Sequence, residues 1–207
     1  MRPDTLLIDF GGVLTTSVLD SFAEFSRSEG LEHDAVLRCV SRDKVGRLLL
    51  VEIEEGRISS EDFQAQFAAR LSELGDRAIE PAGLLSRLNA GLRPEPALVA
   101  AIEALRRAGV RTVLVSNSLG EEAYEWCDLE LLFDHVVLSG QVGVRKPSRG
   151  IFRYALELSG GVPEGALMID DLEQNLLGAS RVGIQTYLHR QADTTVLALQ
   201  RAFGVEL

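Results

Sequence analysis

Residues 5–14 read TLLIDFGGVL. A short apolar run meets an acid at Asp9, and two glycines follow at Gly11 and Gly12. Length and punctuation of this kind predict a buried strand over Thr5 to Asp9, because a helix needs a periodic run of at least about ten residues. The form returns downstream at Val110–Ser116 (VRTVLVS), His135–Leu138 (HVVL), Ala166–Asp170 (ALMID) and Ile184–Leu188. Amphipathic stretches separate these runs, one opened by Pro96 and closed by Gly109 and another running past Ala179 and Arg181. Alternation of this sort predicts an α/β fold, a doubly wound parallel sheet with flanking helices.

Between Thr16 and Leu92 the character changes. Apolar residues recur at helical spacing (Phe22 and Phe25; Val36, Leu37 and Val40; Phe63, Phe67 and Leu71), and no strand pattern interrupts them. Ser59, followed by Ser60, Glu61 and Asp62, has the form of a helix cap with an acidic first turn. The organisation expected is a sheet-bearing core from residues 1–15 and 93–207, with a small all-helical insertion at 16–92. The run Leu48–Val51 suits either the core of that insertion or a dimer contact, so a monomer and a homodimer both stay open.

Composition narrows the function classes. The 207 residues carry 21 Lys and Arg against 31 Asp and Glu, a formal net charge of -10, and 46% of them are hydrophobic. A negative field repels phosphate backbones and anionic lipid, and the basic pairs Arg106-Arg107 and Arg145-Lys146 are too short to make a patch, so neither nucleic acid nor membrane is an expected partner. Cys39 and Cys127 have no metal or redox spacing. With no basic and apolar leader before Thr5 and no bilayer-length apolar run, the expected location is the cytoplasm.

Ligands of an open parallel sheet bind beyond the carboxyl ends of its strands. The polar residues at those ends are Asp9, then Ser116-Asn117, then Lys146-Pro147 after the third strand, then Asp170-Asp171. A carboxylate can attack phosphorus, a hydroxyl and an ammonium can hold phosphoryl oxygens, and an acidic pair can hold a hard divalent ion such as Mg²⁺. Each feature taken singly is commonplace, Asp9 as a turn residue and Ser116-Asn117 as a helix cap. Their occurrence together and in this order is what points to phosphoryl transfer.

That order, with Asn175 four positions beyond Asp171, resembles the four motifs of the haloacid dehalogenase superfamily, and the insertion after the first motif is similar to its helical-cap group. The resemblance implies a Rossmann-like core and a Mg²⁺-dependent phosphatase acting on a small phosphorylated metabolite, with a sugar phosphate as one candidate. It implies Asp9 as nucleophile and Mg²⁺ ligand, the Gly11 carbonyl as second ligand and Asp171 as third. Ser116 and Lys146 would hold the transferring phosphoryl group, with Asn117 positioning substrate or Ser116. Asn175 aligns with the polar residue that follows the metal-binding acid, which selects Asp171 over Asp170 and leaves Asp170 and Asn175 to shape the site.

The chain departs from the family at one position. The first motif usually carries a second Asp that protonates the leaving oxygen and later activates water, and here that position is Gly11. A metal ligand through the main chain survives the change, whereas the acid/base role does not. Either another group or a good leaving group compensates, or the protein binds a phosphorylated ligand as an impaired or regulatory relative. A metal-free dehalogenase does not suit the acidic pair, a receiver domain has the acidic pair first, and the kinase-like Asp9-Phe10-Gly11 lacks its companion loops. His33, His135 and His189 have no ligand spacing, Trp126 with Tyr124 is expected in a core-facing helix, and Arg42, Arg47 and Arg57 are expected to be solvated.

Overall fold

A computed structural model describes residues 2–120 and 122–207. Its five strands are β1 (Thr5–Ile8), β2 (Arg111–Ser116), β3 (His135–Leu138), β4 (Ala166–Asp170) and β5 (Gln185–Leu188), all parallel, in the order β3-β2-β1-β4-β5. The order reverses between β1 and β4, which is where an open sheet leaves a crevice for a ligand.

Between β1 and β2 lie α1 (Val18–Ser28), α2 (Ala35–Ser41), α3 (Lys44–Glu54), α4 (Ser60–Gly75) and α5 (Leu84–Asn89), and then α6 (Pro96–Arg107) leads into β2. Beyond β2 come α7 (Leu129–Leu132), α8 (Ser139–Val142) after β3, α9 (Arg149–Ser159), α10 (Glu173–Ser180) after β4, and α11 (Ala192–Phe203).

The central strands are buried on both faces, which is why they read as continuous apolar runs. Leu6, Ile8, Leu114 and Ile169 pack on one face with Leu105 and Leu199, from α6 and α11. Leu7, Val113, Val115 and Met168 pack on the other with Phe152 and Ala179, from α9 and α10. The inserted helices hold a separate apolar cluster around Phe25, Phe63, Phe67 and Leu71, with the Phe63 and Phe67 rings stacked at 5.0 Å. Ser59 caps α4, accepting from the Asp62 N–H.

The chain leaves the sheet and returns to it through one neck. Thr16 N–H donates to the Arg93 carbonyl and Glu95 N–H to the Leu14 carbonyl, each at 2.8 Å. On the far side of the crevice the insertion touches the core at Gly56, a left-handed residue (φ 65°) so close to the Gly140 carbonyl that a side chain would collide with it. The run at 48–51 divides: Leu49 joins the insertion's core, while Leu48 is exposed.

One expectation fails here. Trp126 lies in a turn between a 3-10 turn (Glu122–Tyr124) and α7, and it is 38% exposed. Its ring covers Phe10 from outside at 5.6 Å. Tyr124 is the buried member of the pair, packed edge-on against Phe10 at 4.6 Å.

Candidate active site

Register builds the site. Ile8 lies opposite Ile169 on β4 and Leu114 on β2, so the next residues, Asp9 and Asp170, emerge level with each other at the crevice, and β2 ends at Ser116 beside them. Asp9 is fixed by its N–H bond to the Ile169 carbonyl at 2.9 Å and by its Oδ1, which accepts from Phe10 N–H at 2.7 Å.

Lys146 enters from the loop between α8 and α9 and is 1% exposed. Its Nζ lies 2.7 Å from Asp9 Oδ1 and 2.7 Å from Asp170 Oδ2. Burial alone would lower the lysine pKa, but the two carboxylates outweigh it and the net direction is upward, so the ammonium stays charged.

Three carboxylates meet at this point. Asp9, Asp170 and Asp171 each bring an oxygen within 4.8 Å of the other two. Burial, with the charges of Asp170 and Asp171, pushes Asp9 up to about 8 against the pull of Lys146. Burial, then Asp170, pushes Asp171 up to about 6.

The members of the acidic pair differ in what they have left to offer. Asp170 is saturated: Oδ1 accepts from Leu172 N–H and the Asn175 amide, and Oδ2 from Lys146 and the same amide. Asp171 accepts no side-chain hydrogen bond among the described residues, so its carboxylate is available to a ligand. Asn175 thus bonds to Asp170, not to the acid four places before it. The Asp171 carboxylate together with Asp9 suits a hard divalent cation, whose charge would balance what Lys146 alone does not.

Ser116 is held by Tyr124: Ser116 Oγ and Tyr124 Oη lie 2.9 Å apart. The Asn117 side chain turns to the lysine loop, its Oδ1 accepting from Lys146 N–H at 2.8 Å and its Nδ2 donating to the Lys146 carbonyl at 3.2 Å. The sequence pointed to Asn117 as positioning substrate or Ser116; its side chain bonds instead to the Lys146 backbone, while still lining the cavity.

The glycines after Asp9 are set by space. A Cβ at Gly11 would stand 2.7 Å from Val18 Cγ2 on α1, so the inserted helices occupy the room that a side chain would need. Gly12 has φ 78°, and a Cβ there would stand 2.5 Å from Asp171 Oδ2. Gly12→Ala is therefore expected to cost at least about 1–2 kcal/mol in backbone strain and to displace Asp171. Urea unfolding with and without Mg²⁺ checks both; an unchanged midpoint would mean the loop tolerates another conformation.

Above these residues lies a cavity of ≈ 340 Å³. Asp9, Ser116, Lys146 and Asp171 form its floor, and Leu19, Phe22, Leu37, Val40 and Leu50 from the insertion contribute apolar wall. Arg42, Arg47, Arg57 and the three histidines do not line it.

Glu54 does line it, a residue the sequence reading passed over. The signal was its place on the buried stripe of α3 with Gly46, Leu49 and Ile53, where an apolar residue is the rule. Tyr124 was likewise missed as a partner of Ser116.

Known proteins are similar to this chain. A family model described as haloacid dehalogenase-like hydrolase matches residues 3–183. The chain is 28% identical over 158 residues to acyl-CoA dehydrogenase family member 10 of Mus musculus, covering 74% of this chain but only 15% of that protein. It is 26% identical over 160 residues to sesquiterpene phosphatase astK of Aspergillus oryzae, covering 74% of this chain and 78% of that one. A HAD family enzyme from Bacteroides thetaiotaomicron, solved as a magnesium complex, has a TM-score of 0.70 at 23% identity, over 92% of this chain and 94% of that one.

Proposed function

We propose, from the premise that the chain belongs to the haloacid dehalogenase-like hydrolases, that it is a Mg²⁺-dependent phosphomonoester hydrolase working through a phosphorylated Asp9. The observation that carries this reading is the buried Lys146 ammonium 2.7 Å from Asp9. An anionic nucleophile and an anionic substrate repel each other, and a fixed cation at the point of attack is what that chemistry requires.

Asp9, the Gly11 carbonyl and Asp171 would hold Mg²⁺, which supplies charge neutralisation to the phosphoryl oxygens when bound. Asp9 Oδ attacks phosphorus. Lys146 Nζ and Ser116 Oγ hold phosphoryl oxygens, with Tyr124 orienting the hydroxyl and Asn117 the lysine loop. Asp170 and Asn175 fix Lys146 from behind. Residues 16–92 act as a cap that excludes water and shapes the leaving group.

The cap wall argues for an apolar leaving alcohol. A sugar ring, suggested by the sequence, would face Leu19, Phe22, Leu37, Val40 and Leu50 with hydroxyls that need partners, and the insertion offers them only Glu54 and Asn89. A relative named as a sesquiterpene phosphatase is consistent with an apolar moiety. No described helix is long and apolar enough to cross a membrane.

The test is phosphate release from a panel of terpenyl, alkyl and sugar phosphates with and without Mg²⁺. Release confined to apolar esters is the expected result, and none from any ester would sink the reading. A binding protein without turnover is the second reading, favoured by Val18 filling the space beyond Gly11. Tight binding of an apolar phosphate that is never hydrolysed would establish it.

Metal linkage gives a second test. Asp9 and Asp171 both stand above the ordinary carboxylate range, so the folded chain keeps protons that the unfolded chain has released. Stability of the metal-free protein therefore falls as pH rises from the ordinary carboxylate range to about 8. Mg²⁺ needs these groups deprotonated, so its stabilisation grows over the upper part of that window, reaching about 2.7 kcal/mol at a hundredfold excess over Kd. Melting curves should show a larger Mg²⁺ shift at pH 8 than at pH 6, and none in Asp171→Asn.

A further inference from the structure

Without a side chain at position 11 the reaction has no proton donor there, and Val18 Cγ2 stands only 2.7 Å from where a Cβ would be. The cavity nevertheless holds another carboxyl. Glu54, the last residue of α3, is buried and lines the same cavity as Asp9, Gly11 and Lys146. Its Oε2 accepts no hydrogen bond among the described residues, although Arg145 Nη1 lies 3.0 Å away as an ion pair. A buried carboxyl held by that one ion pair keeps lone pairs for a ligand that enters the cavity.

We infer that Glu54 is the general acid and base of the reaction, delivered from the cap in place of a side chain at position 11. The inference rests on Asp9 being the nucleophile. In the first half, an Asp9 oxygen bonds to phosphorus, the bond from phosphorus to the leaving oxygen breaks with its electron pair, and that oxygen takes the Glu54 proton. In the second, the Glu54 carboxylate removes a proton from water as the water oxygen bonds to phosphorus, and the Asp9 carboxylate is released. Glu54 is left protonated and ready for the next ester.

The surroundings suit a group that must change state at each half-reaction. The charges acting on Glu54 are Arg145 and Lys146 from the loop after α8; Tyr124 beyond β2 feels its charge in turn, Asp9 after β1 and Asp171 after β4 line the same cavity, and α2 gives that cavity only Leu37 and Val40. Burial pushes Glu54 up to about 7, against the pull of Arg145 and Lys146. It therefore holds its proton on the acid side of neutrality, where a donor to an alkoxide is needed, and gives it up just above.

The test compares wild type, Glu54→Gln, Glu54→Asp and Arg145→Gln, each Mg²⁺-loaded, on an alkyl phosphate and on nitrophenyl phosphate, whose leaving group needs no proton. Glu54→Gln is expected to slow the first turnover of the alkyl ester by about 10²- to 10⁴-fold while changing the nitrophenolate burst by less than about threefold. It should then stall as phosphorylated Asp9, visible in the intact mass as one added phosphoryl group.

Glu54→Asp, which keeps a carboxyl, should recover part of the alkyl rate. Arg145→Gln removes a charge that lowers the Glu54 pKa, so it should move the alkaline limb of the pH profile upward and keep the alkyl rate. In metal-free wild type, ¹³C NMR should find the Glu54 carboxyl titrating near neutrality. Equal slowing of both esters by Glu54→Gln, or the same profile in Arg145→Gln, would show a cap latch and overturn the inference alone. A wild type that never phosphorylates Asp9 would overturn the phosphatase reading as well.

Discussion

Asp9→Asn is expected to lower turnover on every substrate by on the order of 10⁴-fold or more, the scale on which a nucleophile acting within a set of coupled groups is lost. An amide has the shape of the carboxylate but no anionic oxygen to offer phosphorus, so good and poor leaving groups suffer alike. This separates Asp9 from Glu54, whose loss discriminates between leaving groups. The same substitution should raise the melting temperature of the metal-free protein near pH 8. Folding forces the Asp9 carboxyl up to about 8, chiefly by burial, so an ionised Asp9 works against the fold and a neutral amide does not. Activity lost while stability rises is the signature of a group placed for chemistry at a cost to folding. Phosphate-release assays and metal-free melting curves check the two halves, and a variant that loses both together would mark Asp9 as a structural residue.

What the sequence made legible follows from the range of the interactions concerned. A parallel strand buried on both faces must be apolar along its length, so β1, β2 and β4 announce themselves, and their polar terminal residues must lie at the sheet's ligand-binding edge. Asp9, Ser116, Lys146 and Asp171 were singled out in this way, by local pattern and order, and the fold brings them to one cavity. Contacts that depend on how the insertion folds back left no local trace. Glu54 sits among Glu52 and Glu55, and the run Leu48-Leu49-Leu50-Val51 hides which face of α3 is buried. Asn175 illustrates a contact that spacing did not foretell. Spacing linked it to Asp171, whereas its amide holds Asp170, and it is the saturation of Asp170 that leaves Asp171 free. Trp126 and Tyr124 looked alike in sequence, and only the turn after Tyr124 decides that the phenol goes inward to Ser116.

Lys146→Met is expected to cost about 3–5 kcal/mol of stability at pH 8, the usual penalty for leaving buried charges without their partner. Methionine has a similar length and is apolar, so packing is nearly preserved and the loss is electrostatic. Asp9 and Asp170 would then face each other with no cation between them, where wild type holds an ammonium 2.7 Å from each. The penalty should shrink as pH falls below 8, because protonation of Asp9 removes one of the two charges. The lysine itself stays charged throughout this window, since its pKa is raised. Activity should fall by about 10²–10³-fold, as expected for removing a fixed charge from a developing oxyanion. Urea unfolding at pH 5.5 and pH 8 measures the first effect. Adding Asp170→Asn to Lys146→Met should then restore stability relative to the single variant, because the second change removes the carboxylate that the first stranded. If the two losses simply add, Lys146 is not the counter-charge of Asp9 and Asp170, and its place between them serves the phosphoryl group alone.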